Sequence, residues 1–409
     1  MSHRLEHSSP DPTRTGTRDD RSPVDEEYRV LTSDEGRRLL DEVFALGTIR
    51  PAGLDRLRKL APPSMVAAAI RLVEARRKGA TKFDRAGAMW LDPVGVEQAT
   101  ARPVACHKAA RFEGSPVVVD LCAGIGGDAI AIADRAPVIA VDLDPGHCRR
   151  LRWNAGVYGV ADRIVSVQAR AEDFVIPEGA RIHIDPDRRA DRDRRARALE
   201  DYAPGPAFWS SMMETVPGGA IKLSPAADFA RVAPAGSGRE VELVSLNGEC
   251  KEATVWFGDL ATCRRRATVL PSGATWTDAD GEAGLAPIAE PAGWIFDPDP
   301  AILRAGLLDG FAKSHGLARA SDAIDYLTAP EKIKSPFLSA FAVMERTSVD
   351  PKRMKEMVRR HGIGRLEIKV RGIDLAPETL RGRLDLKGEE SATLLIVGRS
   401  CAVLARRAG

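Results

Sequence analysis

Seven short apolar runs, rich in Val, Ile and Leu, recur across the middle of the chain and are separated by polar or glycine-rich segments. Runs of this length and composition are typical of strands buried in a parallel sheet. Pro145 favours the start of a helix through Val157 between the second and third runs. The pattern predicts a doubly wound α/β sheet whose last two strands form a hairpin. The predicted strands are 117–119, 138–141, 163–167, 181–184, 219–224, 240–246 and 253–257.

The flanking segments have different patterns. A helical spacing of Leu39, Leu40, Val43 and Phe44 predicts an amphipathic helix from Ser33, and a second helix is expected over 65–75. Residues 271–292 are rich in Gly, Pro, Asp and Ala and predict a linker or long loop. The expected organisation is a disordered tail 1–27, a helical domain 28–110, the α/β domain 111–262, a connecting region 263–335 and an α+β domain 336–409.

The last of these domains alternates strands and helices. Its helix over 351–360 carries five Lys or Arg residues, and further basic residues follow it. A basic helix next to a sheet favours the binding of structured RNA through its phosphates, but a solvated basic face on a dimerisation or scaffolding domain would have the same composition. The predicted strands are 340–345, 365–370, 393–397 and 402–405, and the predicted helices are 351–360 and 377–383.

Composition adds little beyond this organisation. The 409 residues carry a net charge of only +2, so nucleic-acid binding would depend on local patches. The six cysteines form no Cys-x-x-Cys pair, and no apolar run approaches the roughly 18 residues of a membrane helix. We expect a cytoplasmic protein with no metal, no membrane segment and no obligate protein partner.

The first strand leads into the most informative motif, a carboxylate followed by a glycine-rich turn. Gly124, Gly126 and Gly127 allow a tight turn and close approach to a ligand, and Asp128 is expected to cap a helix over 129–135. A dinucleotide fold also uses such a turn, but its pyrophosphate would be repelled by Asp120. S-adenosylmethionine has a cationic sulfonium and amino group instead, and therefore suits this acidic strand end better.

Acidic residues also follow the next two strands. Asp142, with Asp144 close by, is placed to accept the ribose hydroxyls of a cofactor. Asp173 and Phe174 are candidates for contacts with the adenine amine and ring. Helix capping or solvation is the structural alternative for Asp144 and Glu172.

The fourth strand ends at Asp185-Pro186, where this fold presents its substrate. Methyl transfer requires an aligned nucleophile and a proton acceptor, and Asp185 is the candidate for both tasks. Methyltransferases acting on base amines have an Asp/Asn-Pro-Pro-aromatic tetrad here, whereas this chain continues with Asp187 and Arg188. Arg188 and Arg189 open an arginine-rich run that suits phosphate, or a solvated loop. Lys222 and Glu249 are further candidates at the substrate side, although the hairpin turn at Asn247-Gly248 needs no functional role.

Seven segments together resemble the bacterial S-adenosylmethionine-dependent methyltransferases that carry a C-terminal THUMP-like domain. The resemblance implies a Rossmann-like, seven-stranded class I methyltransferase sheet, and cofactor binding through Asp120, Gly124, Asp142 and Asp173. The cofactor loop is also similar to that of cap-guanine N2 methyltransferases, whose Ser-Pro-Pro-Trp motif this chain lacks. The segments are 82–90, 97–100, 120–128, 185–189, 222–225, 248–252 and 364–369.

These patterns predict a methyltransferase that uses S-adenosylmethionine and acts on RNA, such as a tRNA or rRNA base. The alternatives are a non-catalytic RNA-binding scaffold and a methyltransferase acting on a protein or small metabolite. Asp185 and Pro186 are the predicted catalytic residues, and Arg188, Arg189, Lys222 and Glu249 the predicted substrate-binding residues. The predicted cofactor-binding residues are Asp120, Ala123, Gly124, Gly126, Gly127, Asp128, Asp142, Asp144, Asp173 and Phe174.

Overall fold

A computed structural model of the protein describes residues 22–188, 199–371 and 373–408. The chain divides into two compact units. The first takes in the described residues up to Thr81 together with Arg85–Gln98, and the second takes in Lys82–Asp84 and the described residues from Ala99 onward. No helix in the described ranges is both long and apolar enough to cross a membrane.

The first unit is entirely helical. Pro23 occupies the first turn of its first helix and the Ser22 hydroxyl accepts the Asp25 N–H, so the predicted disorder of residues 23–27 is wrong. Leu39 and Val43 are buried as predicted, whereas Phe44 is 69% exposed. The rest of the predicted tail, residues 1–21, lies outside the described residues. The helices are α1 (Pro23–Thr32), α2 (Asp34–Leu46), α3 (Pro51–Arg58), α4 (Pro63–Gly79) and α5 (Pro93–Gln98).

The second unit contains a nine-stranded sheet in the order β11-β10-β8-β9-β7-β4-β1-β2-β3. Its helices are α6 (Arg102–Ala109), α7 (Gly127–Ala133), α8 (Pro145–Tyr158), α9 (Pro206–Thr215) and α10 (Phe229–Val232). Its strands, and the short β5-β6 pair beside them, are β1 (Val118–Leu121), β2 (Val138–Asp142), β3 (Ile164–Gln168), β4 (Arg181–Ile184), β5 (Asp187–Arg188), β6 (Tyr202–Ala203), β7 (Gly218–Leu223), β8 (Glu240–Leu246), β9 (Glu249–Gly258), β10 (Arg265–Leu270) and β11 (Ala274–Thr277).

Seven of these strands match the seven predicted ones. The β8-β9 hairpin turns at Asn247 and Gly248, whose φ angles of 54° and 81° suit a two-residue turn. β10 and β11 extend the sheet beyond the prediction, and residues 274–277 form a strand within the stretch that we expected to be a linker. β11 forms there because it pairs with β10, in spite of the surrounding glycine and proline residues that suggested a loop.

A second sheet of seven strands follows, in the order β13-β14-β12-β15-β18-β17-β16. Three of its strands and two helices come from residues 294–329, inside the predicted connecting region. All six elements predicted for the C-terminal domain are present with small changes at their ends. The elements are β12 (Trp294–Pro298), α11 (Pro300–Arg304), α12 (Leu308–Ser314), β13 (Ala318–Arg319), β14 (Leu327–Ala329), β15 (Leu338–Thr347), α13 (Pro351–Arg360), β16 (Ile363–Arg371), α14 (Pro377–Arg381), β17 (Glu390–Val397) and β18 (Cys401–Ala408).

The first sheet brings three acidic strand ends together. β1 pairs in parallel with both β2 and β4, so the carboxyl ends of these strands lie at one edge. The Asp185 N–H donates to the Leu121 carbonyl at 3.1 Å, which holds the segment after β4 beside the glycine-rich turn after β1. The sheet thus places Asp185 next to the predicted cofactor loop.

Candidate active site

In the glycine loop between β1 and α7, every second residue from Cys122 to Gly126 has a left-handed backbone conformation. Gly124 has φ +55° and a Cβ built on it would meet no atom within 4 Å, so this side of the loop faces open space. Gly126 has φ +94°, and its Cβ would lie 3.1 Å from Ile130 Cδ1 and Leu151 Cγ. Cys122 adopts φ +64° although it is not a glycine. Gly126 is therefore needed for packing, whereas Gly124 leaves room for a ligand.

Asp142, at the end of β2, is bound to this loop. Its Oδ2 accepts the Gly124 N–H at 2.8 Å, and its Oδ1 accepts the Asp144 N–H at 2.9 Å and lies 3.1 Å from His147 Nδ1. Burial alone would raise the pKa of Asp142, but the His147 and backbone hydrogen bonds lower it. The carboxylate is thus ionised and fixed, with one acceptor position remaining on Oδ2.

Asp120 pairs with a histidine that we did not single out from the sequence. His183 Nδ1 lies 2.6 Å from Asp120 Oδ1, and both side chains are buried, on neighbouring strands. Burial raises the pKa of Asp120 while His183 opposes that rise. Asp120 Oδ2 is buried without a hydrogen-bond partner among the described residues. An unsatisfied buried carboxylate oxygen is costly, which indicates a partner from outside the protein.

Asp185 forms an ion pair at the end of β4. Its Oδ2 lies 2.6 Å from Lys222 Nζ, and its side chain keeps 28% of its surface exposed. Burial raises the pKa of Asp185, and the Lys222 ammonium counteracts part of that rise. A carboxylate with a raised pKa and access to solvent can accept a proton from a substrate near neutral pH.

A buried charge cluster, formed by Lys108, Asp128 and Glu252, lies in the same unit. Lys108 Nζ is 3.0 Å from Asp128 Oδ1 and 2.7 Å from Glu252 Oε1. Thr100 Oγ1 donates to Asp128 Oδ2 at 2.6 Å. The prediction that Asp128 caps α7 is therefore wrong, because Gly126 occupies the cap position and the Asp128 side chain turns to Lys108 and Thr100.

The other predicted residues have varied surroundings. Asp144 caps α8 through the Gly146 N–H at 2.6 Å, which is the structural alternative stated above. Asp173 is exposed and lies 3.7 Å from Arg170, while Phe174 is partly buried against the core. The Ala123 N–H donates to the Val141 carbonyl, and Pro186 is buried. Glu249 forms an ion pair with Lys251. The Arg188 backbone belongs to β5, and Arg189 lies outside the described residues.

Sequence reasoning missed Lys108 and His183, and it cited Thr100 and Glu252 only as parts of matching segments. Thr100 belongs to segment 97–100 and Glu252 to segment 248–252, both of which carry the family resemblance. That membership was the available signal. His183 lies in an apolar strand run and Lys108 in a short segment of mixed polar and apolar residues, and nothing local marks either side chain as part of a site.

A protein of Mycobacterium tuberculosis, present in two strains and described as an uncharacterized S-adenosylmethionine-dependent methyltransferase, is 33% identical to the chain over 308 residues. The match covers 74% of this chain and 82% of that protein. The chain belongs to the S-adenosylmethionine-dependent methyltransferases. This relationship confirms the methyltransferase activity and the cofactor, S-adenosylmethionine, that were predicted from the sequence.

Family models and one solved structure agree with this assignment. A THUMP domain-like model matches residues 338–407, an RNA cap guanine-N2 methyltransferase model matches 115–188, and a model of a domain of unknown function matches 25–79. The crystal structure of a proposed methyltransferase from Porphyromonas gingivalis W83 covers 95% of this chain and 98% of its own, with a TM-score of 0.71 and 19% identity. The predicted class I fold with a THUMP-like C-terminal domain is confirmed.

The residues of this methyltransferase fit S-adenosylmethionine, which supplies an activated methyl group when bound. The open side of Gly124 leaves space for the cofactor beside the loop. The unpartnered Asp120 Oδ2 would accept a cationic amino group, and the remaining acceptor position of Asp142 Oδ2 would accept a ribose hydroxyl. These two carboxylates and the loop between them would hold the cofactor.

Proposed function

We propose that this methyltransferase acts on RNA, with Asp185 orienting the acceptor atom and taking up its proton. The observation that carries the role of Asp185 is its position beside the glycine loop, fixed by the hydrogen bond from its N–H to the Leu121 carbonyl at 3.1 Å. The carboxylate also keeps solvent access and a raised pKa. Pro186 follows it and restricts the backbone that aims the side chain.

Lys222 supports this role by holding one oxygen of Asp185. Because Oδ2 is bound to the ammonium at 2.6 Å, Oδ1 is the oxygen left to face a substrate. A lysine ammonium only donates, so it fixes the carboxylate without competing for the proton of the acceptor. Lys222 thus orients Asp185, which differs from the direct substrate contact expected from the sequence.

Two observations support RNA as the substrate. The THUMP domain-like match at 338–407 includes α13, where Lys352, Arg353, Lys355, Arg359 and Arg360 are all exposed. Arginine and lysine side chains on one surface bind phosphates without regard to sequence. The cap guanine-N2 model at 115–188 names an RNA-modifying family, and it covers β1 through β5.

The remaining residues are assigned to cofactor and substrate on the same basis. Asp120, Gly124 and Asp142 would contact the amino acid and ribose ends of S-adenosylmethionine. Phe174, partly buried after β3, would contact the adenine ring together with Asp173. Arg188 and Arg189 would bind a phosphate of the substrate, next to Asp185 in the chain.

The test is transfer of label from methyl-labelled S-adenosylmethionine to RNA and, in parallel, to protein extracted from cells lacking this methyltransferase. We expect label in RNA, and we expect the Asp185→Asn variant to lose roughly 10²–10⁴-fold in turnover while it still binds the cofactor. Label confined to protein would overturn the RNA proposal. Full turnover by the Asp185→Asn variant would overturn the role of the carboxylate.

A matched control lies at the other end of the same strand. Asp259 pairs with Arg181, the first residue of β4, at 2.7 Å. The Asp259→Asn variant removes the carboxylate paired with the first residue of β4, whereas Asp185→Asn changes the ion-paired carboxylate that directly follows the last residue of β4, at the opposite edge of the sheet. It should retain turnover. Cofactor binding without label in any fraction would favour a metabolite acceptor or a non-catalytic scaffold.

A further inference from the structure

Lys108 is a buried cation whose role the assigned function does not explain. Its side chain is 2% exposed, and Asp128 and Glu252 hold its pKa above the ordinary value although burial alone would lower it. A buried ion pair adds little net stability compared with well-packed apolar side chains, because desolvation offsets the attraction of the charges. The cluster therefore calls for an explanation beyond stability.

The two carboxylates of the cluster are held in one geometry. Asp128 has Lys108 at Oδ1 and the Thr100 hydroxyl at Oδ2, 3.0 and 2.6 Å away. Glu252 accepts from the Thr254 hydroxyl at 3.0 Å in addition to Lys108. Glu252 is thus held by hydrogen bonds from a cation and a hydroxyl group, whereas Asp128 is held by the Thr100 hydrogen bond and by an ion pair with Lys108 that lacks hydrogen-bond geometry at Oδ1.

This geometry acts on the glycine loop because Asp128 directly follows it. Asp128 is the second residue of α7, which begins at Gly127, and Gly126 is its cap residue. A Cβ on Gly127 would lie 3.4 Å from the backbone N and O of Thr100, so the two segments are in close contact. Fixing Asp128 and Thr100 therefore fixes the start of α7 and the end of the cofactor loop.

The cluster also acts electrostatically on the ion pair formed by Asp185 and Lys222. The Asp128 charge raises the pKa of Asp185, and the Lys108 charge lowers it. The Asp128 and Glu252 charges likewise raise the pKa of Lys222. The ionisable side chains that interact electrostatically with Asp185 or with its partner Lys222 belong to α6, β1, the loop after β1, α7, β7 and β9: Lys108, Asp120, Cys122, Asp128, Lys222 and Glu252.

We propose that Lys108 is a positioning residue for methyl transfer. Through Asp128 it holds the glycine loop in the form that binds S-adenosylmethionine, and its own positive charge offsets the negative charge of Asp128 at Asp185. The second effect rests on the proposed role of Asp185. The first depends on the cofactor alone, so it can be tested without knowing the methyl acceptor.

The test replaces Lys108 by methionine, which has similar length and no charge, in the full chain. We expect the dissociation constant for S-adenosylmethionine, measured by titration calorimetry, to rise at least tenfold. We also expect the acid limb of the turnover profile to move to higher pH, since a lost cation favours the protonated form of Asp185. A folded Lys108→Met protein with an affinity within twofold of the parent overturns the proposal.

Two further variants separate positioning from stability. His107→Gln removes the bond from the neighbouring residue of α6 to Glu242, 2.7 Å away, and should leave the cofactor affinity unchanged. Lys108→Met combined with Glu252→Gln restores the charge balance and keeps the test available if the single variant does not fold. We expect the double variant to recover resistance to urea but not affinity. Recovery of both properties would show that Lys108 has only a structural role and would overturn the proposal. The role of Asp185 is decided separately, by the turnover of the Asp185→Asn variant.

Discussion

Lys222 Nζ lies 2.6 Å from Asp185 Oδ2, across the adjacent parallel strands β7 and β4. The pair joins a residue expected at the rim of the site to the residue expected to accept the proton. Because the ammonium stabilises the carboxylate that burial destabilises, the two side chains together set the pH at which Asp185 becomes an acceptor.

We predict that Lys222→Met moves the acid limb of turnover to higher pH. Burial raises the pKa of Asp185 and Lys222 lowers it, so removal of the lysine raises the pKa further. The fraction of ionised Asp185 at a given pH then falls. A pH profile of kcat measures the shift, and Arg181→Met, which breaks the Asp259 pair on β4, should leave the profile unchanged.

Gly124→Ala should weaken cofactor binding more than it weakens the fold. Gly124 and Gly159 have φ angles of 55° and 75°, and at both positions a Cβ meets no atom within 4 Å. Alanine in this conformation costs roughly 1–2 kcal/mol at either site. Only Gly124 faces the proposed cofactor space.

The comparison is made by urea unfolding and titration calorimetry on both variants. We expect similar losses of unfolding free energy, a dissociation constant for S-adenosylmethionine at least tenfold higher for Gly124→Ala, and parental affinity for Gly159→Ala. Equal affinities would place the cofactor elsewhere.

Glu242 offers a prediction about stability. It is fully buried on β8 and bound by His107 at 2.7 Å, Trp256 at 2.8 Å and Thr268 at 2.6 Å. Burial would raise its pKa, but the His107 hydrogen bond and the Arg111 charge hold the pKa at about 2. Relative to an ordinary glutamate near 4.3, this corresponds to about 3 kcal/mol at neutral pH.

Because the folded-state pKa is lowered, that stability is present above the unfolded pKa and is lost as the pH falls through about 2. Glu242→Gln should therefore unfold at lower urea than the parent at pH 7, and the deficit should shrink by about half near pH 3. Glu356→Gln, on the exposed face of α13, should cause no deficit at either pH. A deficit that does not change with pH would contradict the assignment.

Local patterns were sufficient for the strands and for the acidic residues that end them. Asp120, Asp142 and Asp185 follow apolar runs, and parallel pairing of β1 with β2 and β4 places them at one edge. The pairing of Lys108 with Glu252 spans 144 positions and depends on the order of the strands, which periodicity does not specify. A buried lysine on a short helix has no local signature.

The same distinction explains the errors. Aspartate is a residue type that often caps helices, which is why Asp128 was predicted to do so. Its actual partners, Thr100 and Lys108, come from a distant part of the chain that packs beside the loop. β11 contains Thr275, Trp276 and Thr277, which favour strands, but it is short and lies in a stretch rich in Gly, Pro and Asp, and β10 offers the edge with which it pairs. In both cases a tertiary contact decides the structure.

The final prediction concerns RNA binding by α13. Lys355 and Arg360 lie near Asp385 and Glu345, whereas Lys352, Arg353 and Arg359 are exposed and enter none of the ion pairs found within the described ranges. These last three are available for phosphate. Each phosphate contact releases counterions, so its loss lowers the slope of log affinity against log salt by roughly 0.7–0.9.

Alanine at Lys352, Arg353 and Arg359 together should therefore lower RNA affinity and reduce that slope by roughly two to three. Cofactor affinity should not change, because the substitutions lie outside the first sheet. Arg406→Ala, which breaks the exposed pair with Glu390 in the same domain, removes a cation that is already neutralised and should reduce the slope much less. Filter binding to total tRNA over a salt series measures all of these slopes. Equal slopes for the triple variant and the parent would remove α13 from the RNA interface, while leaving methyl transfer by Asp185 to be tested on protein and metabolite acceptors.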